Sequence, residues 1–273
     1  MELIEILKVV VLGIVEGVTE WLPISSTGHM LLVDEFIHMN VSESFKDMFF
    51  VVIQLGAILA VVMLFWDKMW PFQTKDKSKP VIRKDVLSMW FKVVVACIPG
   101  AIVTLLFDDY IEAHLHTPTV IALALVVYGV AFIVIENWNK KRTPKVLALE
   151  DISYKTAFII GLFQVLSIIP GTSRSGSTII GALTIGVSRV AAAEFTFFLA
   201  VPVMIGLSFI KILKFGFSFT SVELMTLAIG CVVAFLVSVL VIKFLMSYIK
   251  KRDFKIFGWY RIVLGVILLL YFM

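Results

Sequence analysis

Long apolar runs alternate with short polar connections along this chain. Six of the runs, about 47–66, 88–107, 119–137, 190–210, 223–245 and 256–273, predict membrane-spanning helices. A hydrocarbon core of about 30 Å takes roughly 20 apolar helical residues. Pro71 and Pro80, Pro118, Pro144, the region around Gly216 and the run Lys250-Lys251-Arg252 mark the breaks between them. Two further apolar stretches, about 3–37 and 153–186, have centres rich in glycine, proline and hydroxyl residues. Irregular backbone at membrane depth survives only where protein or a water-filled cavity satisfies it. Each stretch therefore predicts a re-entrant helical hairpin that dips in and returns. The fold class expected is an all-α integral membrane protein with six transmembrane helices and two such hairpins, forming a single domain over 1–273.

Loop charge sets the orientation. Residues 67–92 hold seven Lys and Arg, 138–155 hold five and 246–256 hold four. The alternating connections differ: 107–118 carries Asp108, Asp109 and Glu112 without a Lys or Arg, and 34–47 carries four acidic residues against Lys46. Residues 211–223 carry only Lys211 and Lys214 as basic residues. Basic loops remain in the cytoplasm, so both termini are expected outside. Counting either hairpin as a full span would spoil the alternation. One hairpin followed by three spans makes each half, about 1–137 and 153–273. Three is odd, so the second half enters from the opposite face, as in an inverted-topology repeat. Gly13, Glu16, Ser25, Thr27 and Gly28 fall opposite Gly161, Gln164, Ser173, Ser175 and Gly176 at a constant offset of 148. The tips of the two hairpins are then expected to meet near the midplane.

Composition agrees with a multi-pass protein: 60% of residues are hydrophobic and 16% charged. The net charge of +4 is no nucleic-acid footprint, because the basic residues sit in short loops. Met1-Glu2-Leu3-Ile4-Glu5 predicts no removable signal peptide. Cys97 and Cys231, both in apolar segments, read as packing residues. Monomer and homodimer both stay open.

Candidate chemistry lies at the hairpin centres, where an ionisable group is costly and thereby a functional-site hypothesis. Glu16 and Glu20, four apart, project from one helix face. Such a pair needs a cation or an arginine nearby, and with phosphate oxygens it suits Mg²⁺ or Ca²⁺. Ser25-Ser26-Thr27-Gly28-His29 supplies hydroxyls and an imidazole. Ser26 is a candidate nucleophile with His29 as base, or His29 takes the phosphoryl group itself, or water attacks. In the second centre Arg174 must be paired, and its fork suits phosphate oxygens. Ser173, Ser175, Ser177 and Thr178 surround it with hydroxyls, Gly171 and Gly176 let backbone approach a ligand, and a helix beginning near Ser175 would favour an anion. Arg189 and Glu194 read as an interfacial pair, Phe195, Phe197 and Phe198 as core or lipid-facing. His38, His114 and His116 are assigned no role.

Glu-x-x-x-Glu followed by Pro-x-Ser-Ser-Thr-Gly-His, with the Pro-Gly-x-Ser-Arg-Ser-Gly-x-Thr loop at 170–178, resembles the bacterial undecaprenyl-diphosphate phosphatases of the bacitracin-resistance type. The resemblance covers the whole chain. It implies hydrolysis of a polyprenyl diphosphate lipid to its monophosphate at the bacterial plasma membrane, with the site on the extracytoplasmic side. It also implies recycling of the lipid carrier for peptidoglycan synthesis. The acidic motif falls on Glu16 and Glu20, the hydroxyl motif on Ser25 to His29, and the arginine loop on Pro170 to Thr178. A transporter or flippase is the main rival, since inverted repeats with broken helices are common there. A phosphatidic-acid-type phosphatase is disfavoured, because its Lys-x₆-Arg-Pro and His-x₃-Asp elements are absent. A non-catalytic assembly factor is the weakest alternative.

Overall fold

The computed structural model describes residues 2–73, 80–115 and 117–272, with the backbone alone at Leu31 and residues 108–113. His116 and the loop lysines Lys75, Lys77 and Lys79 lie outside the described residues. The elements run α1 (Leu3–Thr19), α2 (Ser26–Phe36), α3 (Glu43–Val52), α4 (Gln54–Leu64), the short α5 (Trp66–Met69), α6 (Lys84–Leu115) and α7 (Pro118–Asn139). There follow α8 (Tyr154–Val165), a 3₁₀ turn at Leu166–Ile168, α9 (Arg174–Thr184), α10 (Arg189–Phe215), α11 (Ser221–Ile249) and α12 (Lys255–Phe272). Among the described residues six stretches are long and apolar enough to cross a membrane: Glu43–Leu64, Lys84–Phe107, Pro118–Asn139, Arg189–Phe215, Ser221–Ile249 and Lys255–Phe272. The chain is an all-α, multi-pass membrane protein.

Two boundaries differ from the sequence expectation. A turn at Ile53 divides the first span into α3 and α4, just before Gly56 brings α4 onto the α11 backbone at Cys231. The expected loop at 107–118 is mostly helix, because α6 continues to Leu115. No glycine or proline interrupts residues 101–117, and the helix ends only ahead of Pro118, whose ring disfavours helical backbone in the residue before it.

Helices of each half pack against the other half: α1 on α11, α8 on α6, and α7 on α12. Glycine makes each approach close, as is usual between membrane helices. A Cβ on Gly13 would stand 3.1 Å from the Gly230 carbonyl oxygen, and one on Gly129 2.7 Å from that of Gly258. Gly161, the residue at offset 148 from Gly13, lies directly against the backbone of Ala96. Phe195, Phe197 and Phe198 are core residues, and Trp21 meets Phe197 edge-on with ring centroids 5.3 Å apart.

Arg189 and Glu194 do not pair with each other. Arg189 binds the fully buried Glu136, which also accepts from the Phe254 amide at 3.0 Å. Glu194 takes Lys68 at 2.8 Å. Five residues apart on one helix they stand about 140° apart around it, at 3.6 residues per turn, and so face different neighbours.

Candidate active site

Both central motifs are breaks between two short helices. α1 ends at Thr19 and α2 begins at Ser26; α8 and its 3₁₀ turn end at Ile168 and α9 begins at Arg174. Each second helix is capped in the same way. Ser25 (φ 76°) accepts from the Gly28 amide at 3.3 Å, and Ser173 (φ 73°) from the Gly176 amide at 3.2 Å. These two serines are the only non-glycine residues with positive φ among the described residues. A side chain in that region costs roughly 1–3 kcal/mol and persists only where its surroundings hold it. Serine in place of glycine retains the hydroxyl that closes the cap. Gly176 leaves room for what lies beyond, since a Cβ there would stand 3.3 Å from the guanidinium of Arg261.

Glu20 joins the two breaks. Its Oε2 accepts from the Ser26 hydroxyl at 2.6 Å, and its Oε1 meets Arg174 Nη2 at 3.1 Å. Ser175 donates to the Glu20 carbonyl oxygen at 3.3 Å. Arg174 turns its other terminal nitrogen to the Thr196 carbonyl on α10 at 2.9 Å, while its Nε is buried without a partner. Thr178 shares a 2.9 Å hydrogen bond with the Thr196 hydroxyl, and Ser173 one of 3.1 Å with Ser175. Glu16 lies beside Glu20, fully buried, with Oε1 unpartnered. Residues 154 apart in sequence thus form one buried polar cluster of Glu16, Glu20, Ser26, Arg174, Ser175 and Thr178.

His29 takes other partners than Ser26. Its Nδ1 lies 2.7 Å from the Ser25 carbonyl, which can only accept, so Nδ1 carries a proton. Nε2 pairs with the Tyr260 hydroxyl at 2.7 Å, and the two rings are nearly parallel at 7°. Both ring nitrogens are engaged, and the hydroxyl of Ser26 goes to Glu20. Thr27 is exposed.

Two members of the arrangement escaped the sequence reading. Thr196, between buried phenylalanines, links Arg174 and Thr178. Arg261 on α12 is fully buried and spans the two breaks: Nη1 donates to Pro23 O at 3.1 Å, Nη2 to Gly171 O at 2.6 Å and to Thr172 O at 2.9 Å. It lies 5.5 Å from the Tyr128 ring. An arginine within an apolar span is the signal that would have found it, by the same rule that singled out Arg174.

A carboxylate holding a serine hydroxyl and a guanidinium, between two helix N-termini, is an arrangement for anion chemistry at a hydroxyl. The molecule is in class a membrane-embedded protein with a buried site suited to phosphate. Residues 9–267 match the family described as bacitracin resistance protein BacA, and the chain belongs to that family. Among its relatives is an undecaprenyl-diphosphatase of Enterococcus faecalis, 74% identical over 270 residues that cover 99% of this chain and 98% of the relative. Proteins of the same name from Desulfitobacterium hafniense and Lachnoclostridium phytofermentans are 62% and 61% identical across this whole chain, covering 98% and 99% of their own lengths.

Proposed function

We propose that this protein hydrolyses undecaprenyl diphosphate to undecaprenyl phosphate and inorganic phosphate, recycling the lipid carrier of peptidoglycan synthesis and so conferring bacitracin resistance. The observation that carries the reading at the level of chemistry is Glu20, placed between the Ser26 hydroxyl and Arg174 at 2.6 and 3.1 Å. The family and the names of its relatives supply the substrate.

In this reading Arg174, the hydroxyls of Ser173, Ser175 and Thr178, and the free amides at the starts of α2 and α9 hold the diphosphate. Ser26 Oγ attacks the terminal phosphorus while its proton passes to Glu20 Oε2. The bond from phosphorus to the bridging oxygen breaks, and undecaprenyl phosphate leaves. Glu20 returns that proton to the leaving phosphate; water then attacks the phosphoserine and gives a proton to Glu20, which passes it to Ser26 Oγ as the phosphorus–serine bond breaks, releasing phosphate and the free serine. His29, engaged at both nitrogens, orients the Ser25 carbonyl and the cap of α2 rather than deprotonating Ser26. Phosphoryl transfer asks mainly for positioning and charge neutralisation, which makes Arg174 as important as the nucleophile.

The two breaks act as re-entrant hairpins of an inverted repeat. The exchanged packing of α1 on α11 and α8 on α6 supports this, as do the matched caps at Ser25 and Ser173. The three basic connections lie in the cytoplasm in this reading, which their charge supports, and the site opens to the extracytoplasmic side. Glu16, with its orphaned oxygen, and Glu20 fit a Mg²⁺ or Ca²⁺ ion that takes further ligands from the substrate's phosphates. Such an ion would neutralise charge on those oxygens.

The test is phosphate release from undecaprenyl diphosphate by the purified protein in detergent, with and without EDTA. Wild type releases phosphate, and Ser26→Ala and Arg174→Ala each lose at least a hundredfold. Near-normal release by Ser26→Ala removes the serine as nucleophile. No release by folded wild type, combined with lipid or phosphate flux in liposomes, supports transport instead.

A further inference from the structure

The first basic connection is not polar throughout. α5 and the residues after it form a small platform beyond the span Glu43–Leu64. The Gln73 amide donates to the Val81 carbonyl at 2.8 Å and the Arg83 amide to the Pro71 carbonyl at 2.8 Å, and Phe72 faces Ile82 in an antiparallel bridge. Side chains fix the platform in place. Lys68 binds Glu194 on α10 at 2.8 Å, and Trp90 Nε1 on α6 donates to the Met69 carbonyl at 2.8 Å. Arg83 donates to the Asp67 carbonyl and meets Asp85 at 3.0 Å. The outer side is apolar: Trp66, Trp70, Phe72, Val81 and Ile82 are each 45–58% exposed. Trp66 and Trp70 stack with ring centroids 4.7 Å apart, and Trp70 meets Phe72 edge-on at 5.6 Å. A contiguous exposed apolar patch of this kind marks an interaction surface.

We infer that this patch docks on a bilayer surface of anionic phospholipid, with its aromatic rings at the headgroup boundary. Two observations select that occupant. Leu59, Met63, Trp66 and Trp70 recur at helical spacing and are all exposed, so the patch continues the lipid-facing side of α4 without a polar gap. Tryptophan is enriched at that level of a membrane. Charge supplies the sign: residues 67–84 carry six Lys and Arg against two Asp. Each basic residue close to an anionic surface adds about fivefold to partitioning. A protein partner would have to cover an apolar edge that already runs into lipid.

The test places a bimane fluorophore on Val81→Cys, and separately on Phe72→Cys, in the full chain with Cys97→Ala and Cys231→Ala. The protein is held in nanodiscs of mixed phosphatidylcholine and phosphatidylglycerol. The quenchers are the same two lipids, each bearing a nitroxide near the top of its acyl chain at equal mole fraction, and aqueous iodide. Both positions are expected to be quenched by lipid and shielded from iodide, relative to bimane on Thr143→Cys in another basic connection. Phosphatidylglycerol should quench at least twofold more strongly than phosphatidylcholine at low salt. That difference should shrink at about 1 M salt, where the screening length is about 3 Å. Bimane on Leu240→Cys, exposed on the side of α11, should be quenched equally by the two lipids. Iodide quenching without lipid quenching at Val81→Cys and Phe72→Cys would put the patch in water and overturn the inference, leaving it to a protein partner. Equal quenching by the two lipids at low salt would overturn the anionic assignment. Phosphate release plays no part in the readout, so the proposed hydrolysis and the docking stand or fall separately.

Discussion

Arg261 is the residue whose removal best separates the geometry of the site from the stability of the fold. Its three hydrogen bonds, at 2.6, 2.9 and 3.1 Å, all end on backbone carbonyls of the two breaks. Bonds from a charged donor contribute about 1.5–3 kcal/mol each. Against them stands the desolvation of a fully buried guanidinium, an effective penalty of several kcal/mol. The two contributions nearly offset each other, so Arg261→Met changes global stability by no more than about 2 kcal/mol. The local effect is larger. Pro23 precedes the strained cap at Ser25 by two residues, and Gly171 and Thr172 precede the one at Ser173. Released from Arg261, both caps can relax and carry Ser26 and Arg174 away from Glu20. A misplacement of about 1 Å costs on the order of a hundredfold in rate, equivalent to about 2.7 kcal/mol. Arg261→Met should then lower kcat about a hundredfold with its thermal midpoint in detergent within a few degrees of wild type. Arg261→Lys, a single point donor, should recover only part of that loss. Turnover of Arg261→Met within threefold of wild type would refute the argument. So would a collapse of stability, because Arg261 would then be a folding element first.

Other perturbations have equally direct readings. Glu20→Gln removes the carboxylate that takes the Ser26 proton and the charge opposite Arg174, and phosphate release should fall by about 10²–10⁴, the usual worth of a general base. Tyr260→Phe deletes the 2.7 Å partner of His29 Nε2; at about 1 kcal/mol for one hydrogen bond the loss should stay near fivefold, and a hundredfold loss would put Tyr260 into proton transfer. Gly161→Ala presses a methyl group into the Ala96 backbone and should destabilise by about 1–3 kcal/mol, read as a lower thermal midpoint in detergent.

The spans were legible because a 20-residue apolar run has few other fates in a soluble or membrane protein. Glu20, Ser26 and Arg174 were legible because polar residues within such runs are costly and need a reason. What the sequence could not supply was pairing. Ser26 and His29 are three apart and invite a base–nucleophile reading, yet the hydroxyl goes to Glu20 and the imidazole to the Ser25 carbonyl and Tyr260. Only the approach of α12 brings Tyr260 and Arg261 to the breaks, and nothing local to residues 16–29 encodes that. Thr196 was hidden by its setting, since a single threonine among phenylalanines reads as core until Arg174 and Thr178 are seen to converge on it.

Charge balance carries the last step. Arg174 and Arg261 bring two positive charges to the cluster, and Glu16 and Glu20 bring two negative ones when both are ionised. The cluster is therefore formally neutral before an anion arrives. A diphosphate would add negative charge in a setting where an uncompensated ion costs several kcal/mol. The starts of α2 and α9 offset part of this, each worth about half a charge. A divalent cation would offset the rest. Among the described residues no group of three or more His, Cys, Asp or Glu is placed to hold a metal ion alone. One or two carboxylates together with phosphate oxygens is, however, the common way to bind Mg²⁺, and Glu16 has an oxygen to spare. The expectation is that protein without substrate binds Mg²⁺ or Ca²⁺ weakly, and that a non-hydrolysable prenyl bisphosphonate raises this affinity at least tenfold. By linkage the metal raises bisphosphonate affinity by the same factor. Glu16→Gln should remove most of the coupling while bisphosphonate still binds. Equal bisphosphonate affinity with EDTA and with excess Mg²⁺ or Ca²⁺ would mean that arginine and helix ends suffice, and that Glu16 is retained for another purpose.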